Sequence, residues 1–437
     1  MSVYPPMFRV RQHFQAPQVA DVPAEVRAEL GRLPLAQRIK PGDTVAVTAG
    51  SRGIANIARI TRAIVDHLSQ LGARPFIVPA MGSHGGGTAE GQKGILAGYG
   101  VTEEFCGCPI RATMETVVVC QTAEGFPVHF DRHAYEADHV LVAGRVKPHT
   151  DFVGDIESGL MKMLLIGLGK HEGAKVYHRA IHDYSFGQIV RSVAGRVLEK
   201  CNVLAGLAIV ENGYEQTAKI AAVDRHEFEA REKELLVLAR QWMARLPFDA
   251  ADVLLIDEIG KNISGAGMDT NVVGRKTNFQ APTDGETPRI RRIVVRGLTE
   301  ATHGNACGIG MASFCTSRAL RATNLQATRI NAITSGHTMA AMLPMDFETD
   351  RELLDVALST IGLTEPADAK MLWIPNTLEI VEVECSAAYL DEARSRDDLE
   401  ILSDPRPLPF GADGNLPDSR APQQWETAGT VATNQLS

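Results

Sequence analysis

Thr44-Val-Ala-Val-Thr-Ala-Gly-Ser-Arg-Gly53 is the first stretch of the chain with an unmistakable pattern. Thr44 to Thr48, rich in β-branched residues, reads as a strand, and Ala49 to Gly53 as the turn that leaves it. Ile57 to Leu71 then carries apolar residues at helical spacing and ends at Gly72. Arg74 to Pro79 is the next strand. Strand, turn, helix and strand make a βα unit of a parallel sheet, with helices outside and ligands at the carboxyl ends of the strands.

The same grammar continues in both directions. A glycine-dense loop, Gly82-Ser-His-Gly-Gly-Gly87, precedes a helix from Thr88 to Gly98 with Thr88 as N-cap. Further strands are expected at 116–121, 139–143 and 205–211, with helices at 184–200 and 225–245. Before the first unit lies a lead-in with one short helix, Pro23 to Leu33. After a junction at Pro247-Phe-Asp-Ala-Ala-Asp252, strands are expected at Asp252–Asp257, Ile290–Arg296 and Arg329–Thr334. The fold class is therefore α/β with two domains, each a largely parallel sheet flanked by helices, and the active site in the interdomain cleft. The boundaries read as 1–248 for a cofactor-binding, catalytic domain, 249–402 for a second α/β domain, and 403–437 for a Pro-rich polar tail, a loose wrap or disordered end.

Length supports two domains, since 437 residues exceed the ~250–300 at which single cores stop growing. The 53 acidic residues outnumber the 44 basic ones, a net charge of −9 that argues against nucleic acid as a partner. Aromatic content is 5% against 39 glycines, which suits ligand-cradling turns more than a stacking platform. The seven cysteines contain no CxxC pair, so neither a disulfide framework nor a thiolate zinc finger is expected. The start of the chain has no signal-peptide pattern, and no apolar run reaches the ~18–20 residues of a membrane span. A cytoplasmic protein without a membrane partner is expected.

Chemistry concentrates in four places. His84 stands in the glycine loop with almost no bulk around its imidazole. His149 follows Lys147-Pro148, a rigid lead. Lys162 interrupts the apolar stretch Ser158-Gly-Leu-Met-Lys-Met-Leu-Leu-Ile-Gly-Leu-Gly169, where an amine is costly unless paired, modified or functional. His178 lies one segment later, four residues before His182. Alone, each has an ordinary reading: a snorkelling lysine, a surface histidine, a turn.

Together, Gly144-Arg-Val-Lys-Pro-His149, the loop to Lys162, and His178 resemble the nickel-dependent lactate racemase family. The spacing from Lys162 to His178 matches, and His84 matches the family's first catalytic histidine; the resemblance is strongest over residues 40–190. It implies a racemase or epimerase, an isomerase that inverts the C2 hydroxyl centre of a 2-hydroxy acid by proton-coupled hydride transfer. The cofactor implied is a nickel-pincer nucleotide (pyridinium-3,5-bisthiocarboxylic acid mononucleotide nickel), attached covalently to Lys162 and supplied by cofactor-synthesis enzymes. His178 would be the nickel ligand, with Ser51, Ser158 and Gly159 beside the cofactor. His84 and His149 would be the acid–base pair. Imidazole suits that role because it titrates near neutrality.

The chain also departs from the family. Gly85 stands where the family has an arginine, and the stretch from His149 to Lys162 is longer, adding Asp155 and Glu157 that could reach substrate hydroxyls or face water. The family's second-domain substrate residues have no match here; Lys261, Asp269, Thr270 and Asn271 are the candidates to replace them, with Arg52 as a further expected substrate contact. Arg52, Lys147 and Lys261 are the basic groups expected to offset the negative charge locally. These differences leave the particular 2-hydroxy or sugar acid open. Two rival readings are an NAD(P)-dependent oxidoreductase built on the Gly50–Gly53 turn and a non-catalytic binding protein on the same scaffold.

Overall fold

The computed structural model describes residues 4–51 and 53–421. The opening stretch forms the second strand of a five-stranded sheet. Edge to edge, that sheet runs Arg74–Pro79, Thr44–Ala49, His139–Arg145, Val203–Glu211 and Thr217–Asp224. The first four strands are parallel, and the last is antiparallel to its neighbour. Alternate residues go to opposite faces, because successive side chains of a strand point opposite ways. Val45, Val47, Ile77 and Leu141 pack with the helix Ile57–Gln70 on one face. Ala46, Phe76, Val140 and Val142 pack on the other with the helices Phe186–Lys200 and Phe228–Trp242. Both faces are covered, as a parallel sheet requires.

The chain divides into two compact units. One is Gln15–Met243, which holds this sheet; the other joins Met1–Phe14 to Ala244–Ser437. The second unit has an eight-stranded sheet: Met345–Phe347, Phe314–Thr316, Arg289–Val295, Ala250–Ile256, Met371–Ile374, Glu382–Ser386, Met7–Gln12 and Leu399–Ile401. Its first five strands are parallel and its last three antiparallel. The α/β class with mostly parallel sheets is as the sequence predicts.

Three features differ from the sequence reading. Met7–Gln12, read as lead-in, is an interior strand of the second unit; Arg9 and Arg11 interrupt its apolar pattern. Arg9 is tolerated there because its Nε donates to Glu384 at 2.5 Å. Arg329–Thr334, read as a strand, lies within the helix Leu325–Ser335. Asn324 caps that helix by accepting from the Ala327 N–H at 3.0 Å, and Gly336 closes it at φ 75°. Terminal signals override β propensity here. The Pro-rich tail is packed as far as it is described: Leu408 and Leu416 are buried. The Arg296 guanidinium donates to the Leu416 and Pro417 carbonyls at 2.5 and 3.0 Å. Among the described residues no helix is long and apolar enough to cross a membrane, and the seven cysteines are free.

Candidate active site

Three loops that leave the carboxyl ends of the parallel strands in the first unit carry candidate residues. Ser51 follows Thr44–Ala49, His84 follows Arg74–Pro79, and His149 follows His139–Arg145. Across these ends runs the segment that carries Lys162. It starts as a short helix, Leu160–Lys162, and widens into a π-turn, Met163–Gly167, closed by the Leu168 N–H donating to the Met163 carbonyl at 2.9 Å. The segment rests on residues too small to hold it off. A Cβ on Gly144 would lie 2.8 Å from Met163 Cγ, and one on Gly82 3.1 Å from Ile166 Cγ2. Glycine at these positions lets the turn sit directly on the strand ends.

Lys162 is half-buried, and its ammonium lies 5.9 Å from the ring centres of both Phe152 and Phe186. Those rings stack at 4.1 Å and 12°, and His149 stacks on Phe152 at 4.2 Å and 16°. Lys162 and His149 thus share one aromatic wall. The His149 loop is held from behind by Glu157, which is buried. Its carboxylate accepts from the His149 N–H at 2.7 Å, the Gly154 N–H at 3.1 Å and Arg240 at 2.8 Å. Asp155 is paired with Arg191 at 2.7 Å and Lys233 at 3.0 Å, which hold its carboxyl down at about 2. The two added acids of this loop are therefore engaged in building it rather than turned to a ligand's hydroxyls.

Ser51 Oγ is hydrogen-bonded to Nδ1 of His84, and the Tyr99 hydroxyl donates to the Ser51 carbonyl at 2.9 Å. His84 is exposed. His178 is half-buried in the last turn of the helix Lys170–Ala180; His182 lies beyond that helix, so the two do not form a pair on one helical face. Ser158 anchors the other end of the loop, its carbonyl accepting from the Lys147 N–H at 3.0 Å, and Gly159 precedes the Lys162 helix. Arg52 lies outside the described residues.

The second unit holds the remaining candidates. The Lys261 ammonium donates to the Gly265 carbonyl. Asp269 caps the short helix Thr270–Val273, accepting from the Asn271 N–H and side-chain amide at 2.9 Å each. Thr270 is fully buried.

Two residues escape a reading of sequence. Lys170 is fully buried at φ 54°. Its ammonium meets the Pro79 carbonyl at 2.7 Å, Gln92 Oε1 at 2.9 Å and Asp131 Oδ2 at 3.2 Å. Burial pushes the lysine down and Asp131 up, while the two hydrogen bonds and the facing carboxylate favour the charged ammonium. Gln92 in turn donates to the carbonyls of Gly82 and His84 at 2.9 and 3.3 Å, so this buried group braces the His84 loop. The second is Glu232, wholly buried beneath the Lys162 helix. It accepts from the Met161 N–H at 2.8 Å, and burial pushes its carboxyl up to about 7.

Among the described residues no group of three or more His, Cys, Asp or Glu side chains is placed to hold a metal ion.

Residues 10–186 match the family model described as lactate racemase N-terminal domain. The lactate racemase apoprotein from Thermoanaerobacterium thermosaccharolyticum is similar in fold, with TM-score 0.54 and 12% identity over 84% of this chain and 94% of that one. A Thermotoga maritima protein solved by the Northeast Structural Genomics Consortium has TM-score 0.45 and 12% identity over 73% of this chain and 81% of that one. No curated protein sequence matches. Residues 10–186, less than half of the chain, therefore resemble the lactate racemase N-terminal domain, and the chain shares the fold of a lactate racemase apoprotein.

Proposed function

We propose that this protein is an isomerase, a racemase or epimerase acting at the C2 hydroxyl centre of a 2-hydroxy acid with a nickel-pincer nucleotide. The observation that supports this best is the shared wall: Lys162 and His149 meet the same phenylalanine ring above the strand ends. Lys162 would carry the nucleotide covalently, His178 would donate to its nickel, and Ser51, Ser158 and Gly159 would line it. When bound, the nucleotide supplies a hydride acceptor. The protein's own residues do the rest. His84, hydrogen-bonded to Ser51 through Nδ1, presents Nε2 to the substrate hydroxyl and takes its proton. His149, on the aromatic wall, is the second acid–base group, proposed for the opposite face of the substrate. The stacked phenylalanines exclude water beside the reacting carbon. Arg52, Lys261, Asp269, Thr270 and Asn271 are the residues proposed to hold the acid's carboxylate and hydroxyls.

Intact-mass spectrometry of protein produced with the cofactor-synthesis enzymes tests this. An adduct and bound nickel are expected, both lost in Lys162→Ala. Racemisation or epimerisation should then appear in a panel of chiral 2-hydroxy and sugar acids. A protein with no adduct and no nickel would end the reading.

A further inference from the structure

Lys170 occupies a place that suits neither its backbone nor its charge. Its φ is 54°, in the left-handed region that glycine favours, although Gly169 stands beside it with an ordinary φ of −69°. Its side chain is wholly buried against Asp131, itself fully buried. A buried ion pair is weak evidence for stability, since apolar side chains of similar volume commonly hold a fold as well or better. Backbone strain and a buried charge at one residue point instead to a geometric task.

The residue stands at a bend. Before it the chain runs through the Lys162 helix and the π-turn; after it the helix Lys170–Ala180 begins, with His178 in its last turn. Lys162 and His178 therefore belong to one continuous segment, with Lys170 between them. His84 belongs to another, the loop after Arg74–Pro79. These two segments touch through glycines, Gly82 against Ile166 and Gly167 against Ala80, contacts that set closeness but not register. The ammonium adds directional bonds. It donates to the Pro79 carbonyl at 2.7 Å, at the end of that strand, and to Gln92 Oε1 at 2.9 Å, in the helix Ala89–Gly98. Because Oε1 accepts from the ammonium, the amide nitrogen faces the other way. It donates to the Gly82 and His84 carbonyls at 2.9 and 3.3 Å. A charge thus orients the amide that clasps the backbone on both sides of Ser83. Asp131 faces the ammonium at 3.2 Å from a third element, the strand Pro127–Asp131, and its other oxygen accepts from the Ala134 N–H at 2.9 Å.

We propose that Lys170 is the positioning residue that sets the register of the His84 loop against the segment bearing Lys162 and His178. This rests on the racemase reading above, in which His84 moves a proton at a centre held by that segment. Lys170 itself touches no reacting atom. Its effect is through distance, and a misplacement of about 1 Å costs a reaction about 100-fold in rate.

Removing one charge of the pair strands the other, so the test replaces both, Lys170→Met with Asp131→Asn. Gln92→Met cuts the relay while leaving the ion pair whole, and carries the test alone if the double variant does not fold. In apo-protein, hydrogen exchange read by mass spectrometry should quicken about tenfold or more over Gly82–Thr88 and stay within about threefold over Leu160–Gly167. Produced with the cofactor-synthesis enzymes, the variants should keep the Lys162 adduct and the nickel. KM for the acid should stay within about threefold while kcat falls about 30-fold or more. Unchanged exchange over Gly82–Thr88, or kcat within about threefold of wild type, would overturn the proposal. So would loss of adduct and nickel in step with kcat, which would make Lys170 a support of the cofactor-bearing segment. Loaded wild type inactive on every acid would count against the racemase reading, while the exchange result would still decide whether Lys170 sets the loop.

Discussion

Two buried ionisable side chains, Glu232 and Lys170, frame the site, and neither is legible in sequence. Glu232 sits in an amphipathic helix, where a glutamate ordinarily faces water, and Lys170 looks like the surface start of a helix. Lys162 and His149 are legible because a lysine within an apolar run and a histidine after Lys-Pro are costly or constrained wherever they fall. Phe186 is not, because only folding brings it against Phe152. Glu232 carries a consequence for stability. Its folded carboxyl titrates at about 7 against an ordinary 4.5, with burial the cause. Between those values the folded chain holds a proton that the unfolded chain releases. Stability therefore falls as pH rises through this window and levels off above it. Thermal unfolding from pH 4.5 to 8 should show the fall in wild type. It should be smaller in Glu232→Gln, by up to about 3 kcal/mol, since the other buried carboxyls raised by burial, such as Asp131 and Glu384, remain.

At the scale of elements, the decisive contact is a turn lying on strand ends. Gly144→Ala places a methyl against Met163 and should lift the turn that presents Lys162, costing about 1–3 kcal/mol of overpacking. Adding Met163→Ala removes the Cγ that the methyl meets and should restore much of the stability. Denaturant midpoints of the single and double variants check both statements, and an unchanged Gly144→Ala would show the contact to be slack. Element types were legible where propensity and capping agree, as at Thr44–Ala49 and in the Thr88-capped helix. They were not legible at Leu325–Ser335. There Ile330 and Ile333 are 58% and 71% exposed, so no apolar stripe marks a helix face.

At the scale of the whole molecule, the unit Gln15–Met243 is an insertion: the chain enters the other unit's sheet, leaves to build the first unit, and returns. The strand Met7–Gln12 was not legible because both its partners, Glu382–Ser386 and Leu399–Ile401, lie at the far end of the sequence. An inserted unit with its own sheet and two-sided core is expected to fold when produced as residues 15–243 alone. Circular dichroism and a cooperative unfolding transition would show it; a fragment without a cooperative transition would mean the unit depends on the rest.

The insertion also sets a timetable during synthesis. Met7–Gln12 leaves the ribosome long before either partner strand, Glu382–Ser386 or Leu399–Ile401, has been made. A waiting interior strand is a seed for aggregation, and charges interspersed along it are the usual protection. Arg9 and Arg11, the residues that hide this strand from a pattern reader, are well placed to keep it in water through that delay. Once Glu384 emerges, the buried pairing of Arg9 turns the same solubilising charge into a latch.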